Sequence, residues 1–123
     1  MERFFLGAFL FLALACSPAY AHHSFASHYY SDKTISIEGE ILQFDYRNPH
    51  SHLYVMVKGE NGDIEKFSAE WRSPSELESM GVLKNTLKPG DHVIVIGNPG
   101  RDPHLHDLYL KSIRRPADGW KWD

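Results

Sequence analysis

Thr34-Ile35-Ser36-Ile37-Glu38-Gly39-Glu40-Ile41-Leu42-Gln43-Phe44 is the stretch that decides the fold. β-Branched and polar residues alternate along it, so Ile35, Ile37 and Ile41 share one face of a long strand, and Gly39 between them predicts a bend or bulge. Asp45 to Pro49 ends the strand with turn formers and a proline. His52 to Lys58 alternates again, with Leu53, Val55 and Val57 on one face. Asn61-Gly62 lies inside a hairpin loop from Gly59 to Asp63. Ile64 to Trp71 returns as a third strand with Phe67, Ala69 and Trp71 on one face. Ser73-Pro74-Ser75-Glu76 then opens a short helix: a serine N-cap, proline at the first helical position, and glutamate three residues after the cap. Leu77 and Met80 supply its apolar stripe, and Gly81 closes it. After a turn at Leu87 to Asp91, Val93-Ile94-Val95-Ile96 predicts a fourth strand buried on both faces. Asp107 to Arg114 reads as the fifth.

A long, glycine-bent first strand, a hairpin, a helix between strands 3 and 4, and two closing strands give an all-β fold. The architecture expected is a small five-stranded OB-like barrel over residues 34–115. Residues 22–33 read as an N-terminal arm, and residues 116–123 as a polar tail carrying Trp120 and Trp122.

The 123 residues suffice for one ordinary domain. The formal net charge of −3 argues against nucleic acid as a partner, because phosphate binding needs a basic excess. Cys16 is the one cysteine, which excludes a disulfide scaffold and a four-cysteine zinc site.

Met1-Glu2-Arg3 precedes an apolar run from Phe4 to Ala15 that is too short to span a bilayer as a helix, which takes about 20 residues. Ala19-Tyr20-Ala21 follows with small residues at its first and third positions. The pattern predicts a secretory signal peptide over residues 1–21, cleaved after Ala21, and hence a periplasmic protein. The alternative is a lipoprotein cut before Cys16, and membrane attachment is expected only in that case.

Eight histidines in a chain of this length are unusual. His50-Ser51-His52 and His104-Leu105-His106 are two H-x-H pairs. Residues two apart on a strand point to one side, so each pair offers two imidazoles to one ion. An OB-fold gathers its ligand site from the loop between strands 1 and 2 and the loop between strands 4 and 5. The first pair closes the former loop and the second closes the latter, so convergence on zinc or copper is the expectation. Asp102 and Asp107 stand beside the second pair as further ligands or as orienting groups. After cleavage, His22 carries a free α-amine, and with His23 it forms a second candidate copper site. His92 opens an apolar strand and reads as structural. No G-x-S-x-G elbow is present, and Glu38, Glu40, Glu70 and Glu76 show no spacing that marks an acid–base pair.

Several stretches together carry a family resemblance: Ala21-His22-His23-Ser24-Phe25, Gly39-Glu40-Ile41 leading to Asn48-Pro49-His50, Ser73-Pro74-Ser75, Leu87-Lys88-Pro89-Gly90-Asp91, and Ala117-Asp118-Gly119. In order and spacing the chain resembles a family of small exported bacterial proteins, a domain of unknown function (family 6152). The resemblance implies secretion and a small barrel, with no activity attached. It makes His22, His23, Asn48, Pro49 and His50 motif positions.

The function expected is that of a non-enzymatic periplasmic binding module, with copper or zinc as ligand through the clustered histidines. The alternative is an adaptor that docks on another periplasmic protein through a barrel face and the aromatic tail. A small metal-dependent enzyme stands third.

Overall fold

A computed structural model describes residues 24–123, so the signal-peptide reading, Cys16, His22 and His23 lie outside the described residues. A helical turn over 24–28 (α1) precedes β1 (Ile35–Asp45), β2 (His52–Lys58), β3 (Ile64–Glu70), a helix (α2, Pro74–Ser79), β4 (His92–Pro99), β5 (Asp107–Arg115) and β6 (Trp120–Trp122). β1 pairs antiparallel with both β2 and β4, β2 with β3, and β4 with β5. A parallel pairing of β3 with β5, Ser68 to Asp107 through Glu70 to Tyr109, closes the five strands into the expected barrel.

β1 serves two neighbours because it is long. Residues 35–40 pair with β4, and residues 39–45 pair with β2. The expected bulge is present, but it falls between Ile41 and Gln43 rather than at Gly39. Leu42 is the extra residue; Ile41 points inward, Leu42 and Gln43 outward, and Phe44 inward again. Gly39 has a different task. A Cβ there would overlap the Met56 carbonyl oxygen of β2, so only glycine lets the two backbones approach this closely.

The apolar run in β4 is not buried on both sides. Val93 and Val95 are fully buried, whereas Ile96 is 40% exposed. Each strand of a closed barrel turns one face outward, and Ile96 belongs to that face. The inward residues Ile37, Leu53, Val55, Ala69, Val95 and Leu108 form the core. Trp71, fully buried, continues it toward α2.

The helix follows its capping signals. The Ser73 hydroxyl accepts from the Glu76 N–H and donates to the Glu76 carboxylate, and Gly81 follows the helix at φ 84°. Leu77 alone among its residues is buried. Met80 is 41% exposed, so the expected stripe is Leu77 with Val82 beyond the helix end. The Tyr46 hydroxyl reaches the carbonyls of Pro74 and Val82, each at 3.0 Å, and ties the helix to the end of β1.

The C-terminal tail is a strand. Gly119, at φ 76°, turns the chain so that Trp120–Trp122 pairs with Ile113–Arg115. Trp122 meets Trp71 edge-on at 5.0 Å, and both Trp120 and Trp122 pack on the core. Arg115 anchors this end. It donates to Thr86 O and Asp91 Oδ2, each at 2.8 Å, and holds the Asp118 carboxylate with two bonds. Those charge-assisted bonds push the Arg115 pKa up and the Asp118 carboxyl down from its ordinary range.

Candidate functional site

The two H-x-H pairs do not come together. His50 precedes β2 in a segment that follows a cis Asn48–Pro49 bond, and His52 opens the strand. Between them Ser51 is fully buried; its N–H donates to Arg72 O and its carbonyl accepts from Trp71 N–H. His104 belongs to a turn in which Asp102 accepts from the N–H groups of both His104 and Leu105. His106 has φ 45°, so the backbone there is not extended and the rule that places alternate residues on one side fails. Its ring stacks on Phe67 at 5.3 Å, and Nε2 lies 3.9 Å from Glu65. Among the described residues, no group of three or more His, Cys, Asp or Glu side chains is placed to hold a metal ion. His50, His52, His104 and His106 are therefore not gathered into one such group among the described residues. His92 pairs with Glu38 at 3.0 Å on the outer face of the barrel.

His50 and His52 instead line a cleft of about 790 Å³ with residues that the sequence did not mark as a group. Its floor follows from strand alternation. Ser68 and Glu70 flank the inward Ala69 of β3, and Asp107 and Tyr109 flank the inward Leu108 of β5. The parallel register sets Ser68 beside Asp107 and Glu70 beside Tyr109. One wall comes from the N-terminal segment. Phe25 meets the Tyr109 ring edge-on at 5.2 Å and the Tyr29 ring at 5.4 Å. This segment is clipped to the end of β4 and the loop after it: Tyr30 N–H donates to Pro99 O, and Arg101 N–H donates to His28 O. Residues 24–30 are thus packed structure rather than a free arm.

Each cleft carboxylate has an imidazole partner. His28 Nε2 stands 2.7 Å from Asp107 Oδ2, and His50 Nδ1 stands 3.0 Å from Glu70 Oε1. The carboxylates lie deep, at 13% and 21% exposure, and the imidazoles lie at the mouth, at 49% and 55%. The second Asp107 oxygen occupies the space a Gly100 Cβ would need, so glycine there leaves room for this carboxylate, whose buried Oδ1 has no hydrogen-bond partner. His52 Nδ1 is buried with no hydrogen-bond partner. Burial, and then the neighbouring Glu70 carboxylate, raise the Tyr29 phenol pKa. Burial also raises that of Tyr109, with Glu70 adding to it and Arg72 opposing. Both phenols are therefore neutral donors near pH 7.

The cleft lining holds two carboxylates, three imidazoles, two phenols and no lysine or arginine. The lining thus sets carboxylates, imidazoles and phenols together with no lysine or arginine among them. A second depression, of about 620 Å³, lies beside Tyr46, Leu83 and Pro89; its charged groups Glu78, Lys84 and Lys88 are all exposed and form no ion pair with one another.

His28, Tyr29, Glu70 and Tyr109 were missed as site residues. β3 and β5 alternation already puts Glu70 and Tyr109 on the outer face, and that was the available signal. The contact between them needs the parallel register, which alternation does not supply.

The model of a family described as a family of unknown function (DUF6152) matches residues 10–109. No curated protein and no solved structure matches the chain.

Proposed function

The chain belongs to this family of unknown function, and we propose that it is an exported periplasmic binding module that takes a small ligand in the cleft on the β2–β3–β5 face. The observation that carries the reading is the cleft: its volume of about 790 Å³ falls in the usual range of ligand sites, and aromatic rings and a few polar groups converge on it. Its position agrees with the fold, because OB barrels bind ligands on the face of strands 2 and 3 and the loops beside it. Export is supported by the apolar run Phe4–Ala15 and by Ala19-Tyr20-Ala21. N-terminal sequencing of the exported protein should find His22 first, and Cys16 first would make it a lipoprotein. Copper and zinc remain among the ligands to test, because His28, His50 and His52 line the same cleft.

The test is a thermal-shift panel on the parent and on Ser68→Trp, whose indole fills the cleft floor. The panel spans copper(II), zinc, ammonium compounds, carboxylates, phosphates and neutral sugars. At about one hundred times its Kd, a cleft ligand should raise the parent Tm by roughly 10 °C. Ser68→Trp should lose that shift. A stabiliser that acts equally on both proteins, or a panel with no stabiliser, contradicts the reading.

A further inference from the structure

We infer that the ligand of this cleft is a small linear organic dication, a diamine whose two ammonium groups pair with Glu70 and Asp107. The inference rests on the cleft reading above and adds the chemical class. Two carboxylates lie deep in a lining without lysine or arginine. An imidazole meets one oxygen of each carboxylate, and no lysine or arginine of the lining meets either. Carboxylates only accept hydrogen bonds, so the ligand must donate, and a positive donor removes the charge as well.

The spacing selects two cations on one chain. Asp107 sits beside Ser68, and Glu70 is two residues further along β3. A two-residue step of about 6.6 Å and a strand spacing of about 4.8 Å put the Glu70 and Asp107 Cα atoms roughly 8 Å apart. An extended chain of about four methylenes between two ammonium groups spans slightly less, so each nitrogen reaches one carboxylate. Between the carboxylates stand apolar surfaces suited to methylenes. The rings of Phe25, Tyr29 and Tyr109 pack together there, with Tyr29 and Tyr109 centred 5.9 Å apart. The imidazoles of His28 and His50 stand at the mouth, about half exposed, and the entering ammonium groups would take their places on the carboxylates. A bare metal ion fits less well, since it needs three or four donors within about 2.3 Å, and the described residues gather no such group.

Calorimetric titration of the full exported chain tests this with 1,4-diaminobutane, butylamine and 1,4-butanediol as probes. The diamine should bind, the monoamine should bind at least tenfold more weakly, and the neutral diol should give no heat. Glu70→Gln and Asp107→Asn should each weaken the diamine at least tenfold and bring it level with butylamine. The comparison among the three probes on the parent stands even if a variant fails to fold. A diamine that binds no better than the diol, or binding untouched by Glu70→Gln, overturns the inference. If another panel class binds the parent and is lost in Ser68→Trp, the diamine fails while the cleft reading survives; if no class does, both fail.

Discussion

Tyr29 is 6% exposed and lies where the N-terminal segment meets the barrel. Its phenol is held neutral by burial and by Glu70 and Asp107 nearby. The folded pKa therefore stands above the unfolded value of about 10. The stabilisation is fully present below that pH and is lost as pH rises toward the folded pKa, because only the unfolded chain releases the proton. At pH about 11, one unit above the unfolded value, the loss should be about 1.4 kcal/mol. Urea unfolding between pH 8 and 11 should therefore show the parent losing more stability than Tyr29→Phe. Equal slopes would place the phenol in water. Asp107 depends on Gly100 in a comparable way, because any side chain at 100 takes the space of its carboxylate oxygen. The sequence named Asp107 only as a neighbour of His104 and His106. Its true partner, His28, is 79 residues away and comes close only through the fold.

At the scale of elements, β1 and β2 are held together at Gly39. Alanine there would drive its methyl into the Met56 carbonyl oxygen and force the strands apart where β1 is paired on both sides. Gly39→Ala should cost about 3 kcal/mol, toward the upper end for overpacking, and denaturant unfolding measures it. A change below about 0.5 kcal/mol would mean that β2 yields without strain. The strands were legible because alternation is a local signal: Leu53, Val55 and Val57 point inward in β2 as their spacing predicts, although Val57 is only partly buried. The helix was legible from Ser73, Pro74 and Glu76, which act on adjacent backbone groups. β6 was not. Trp120-Lys121-Trp122 is too short to show a period, and it exists because Gly119 turns it back onto β5. The tail indoles consequently pack on this chain's own core, with Trp122 against Trp71.

Across the whole molecule, barrel closure makes the site. The parallel β3–β5 pairing joins strands that the sequence separates by α2 and β4, and it brings Glu70 to Tyr109 and Ser68 to Asp107. Helical residues 24–28 then add Phe25 and His28. Two of the predicted histidines, His50 and His52, belong to the cleft because the first loop and β2 run to this face. His104 and His106 do not, because their loop turns through a left-handed residue at His106. The most direct test of the cleft as the binding surface is amide NMR mapping. Isotope-labelled exported protein is titrated with the strongest stabiliser from the ligand panel. The account predicts the largest shifts at Phe25, His28, Tyr29, His52, Glu70 and Tyr109, with the outer face of β1 and β4 unchanged. Largest shifts at Glu38, Met56 and His92, or around Trp120 and Trp122, would contradict it.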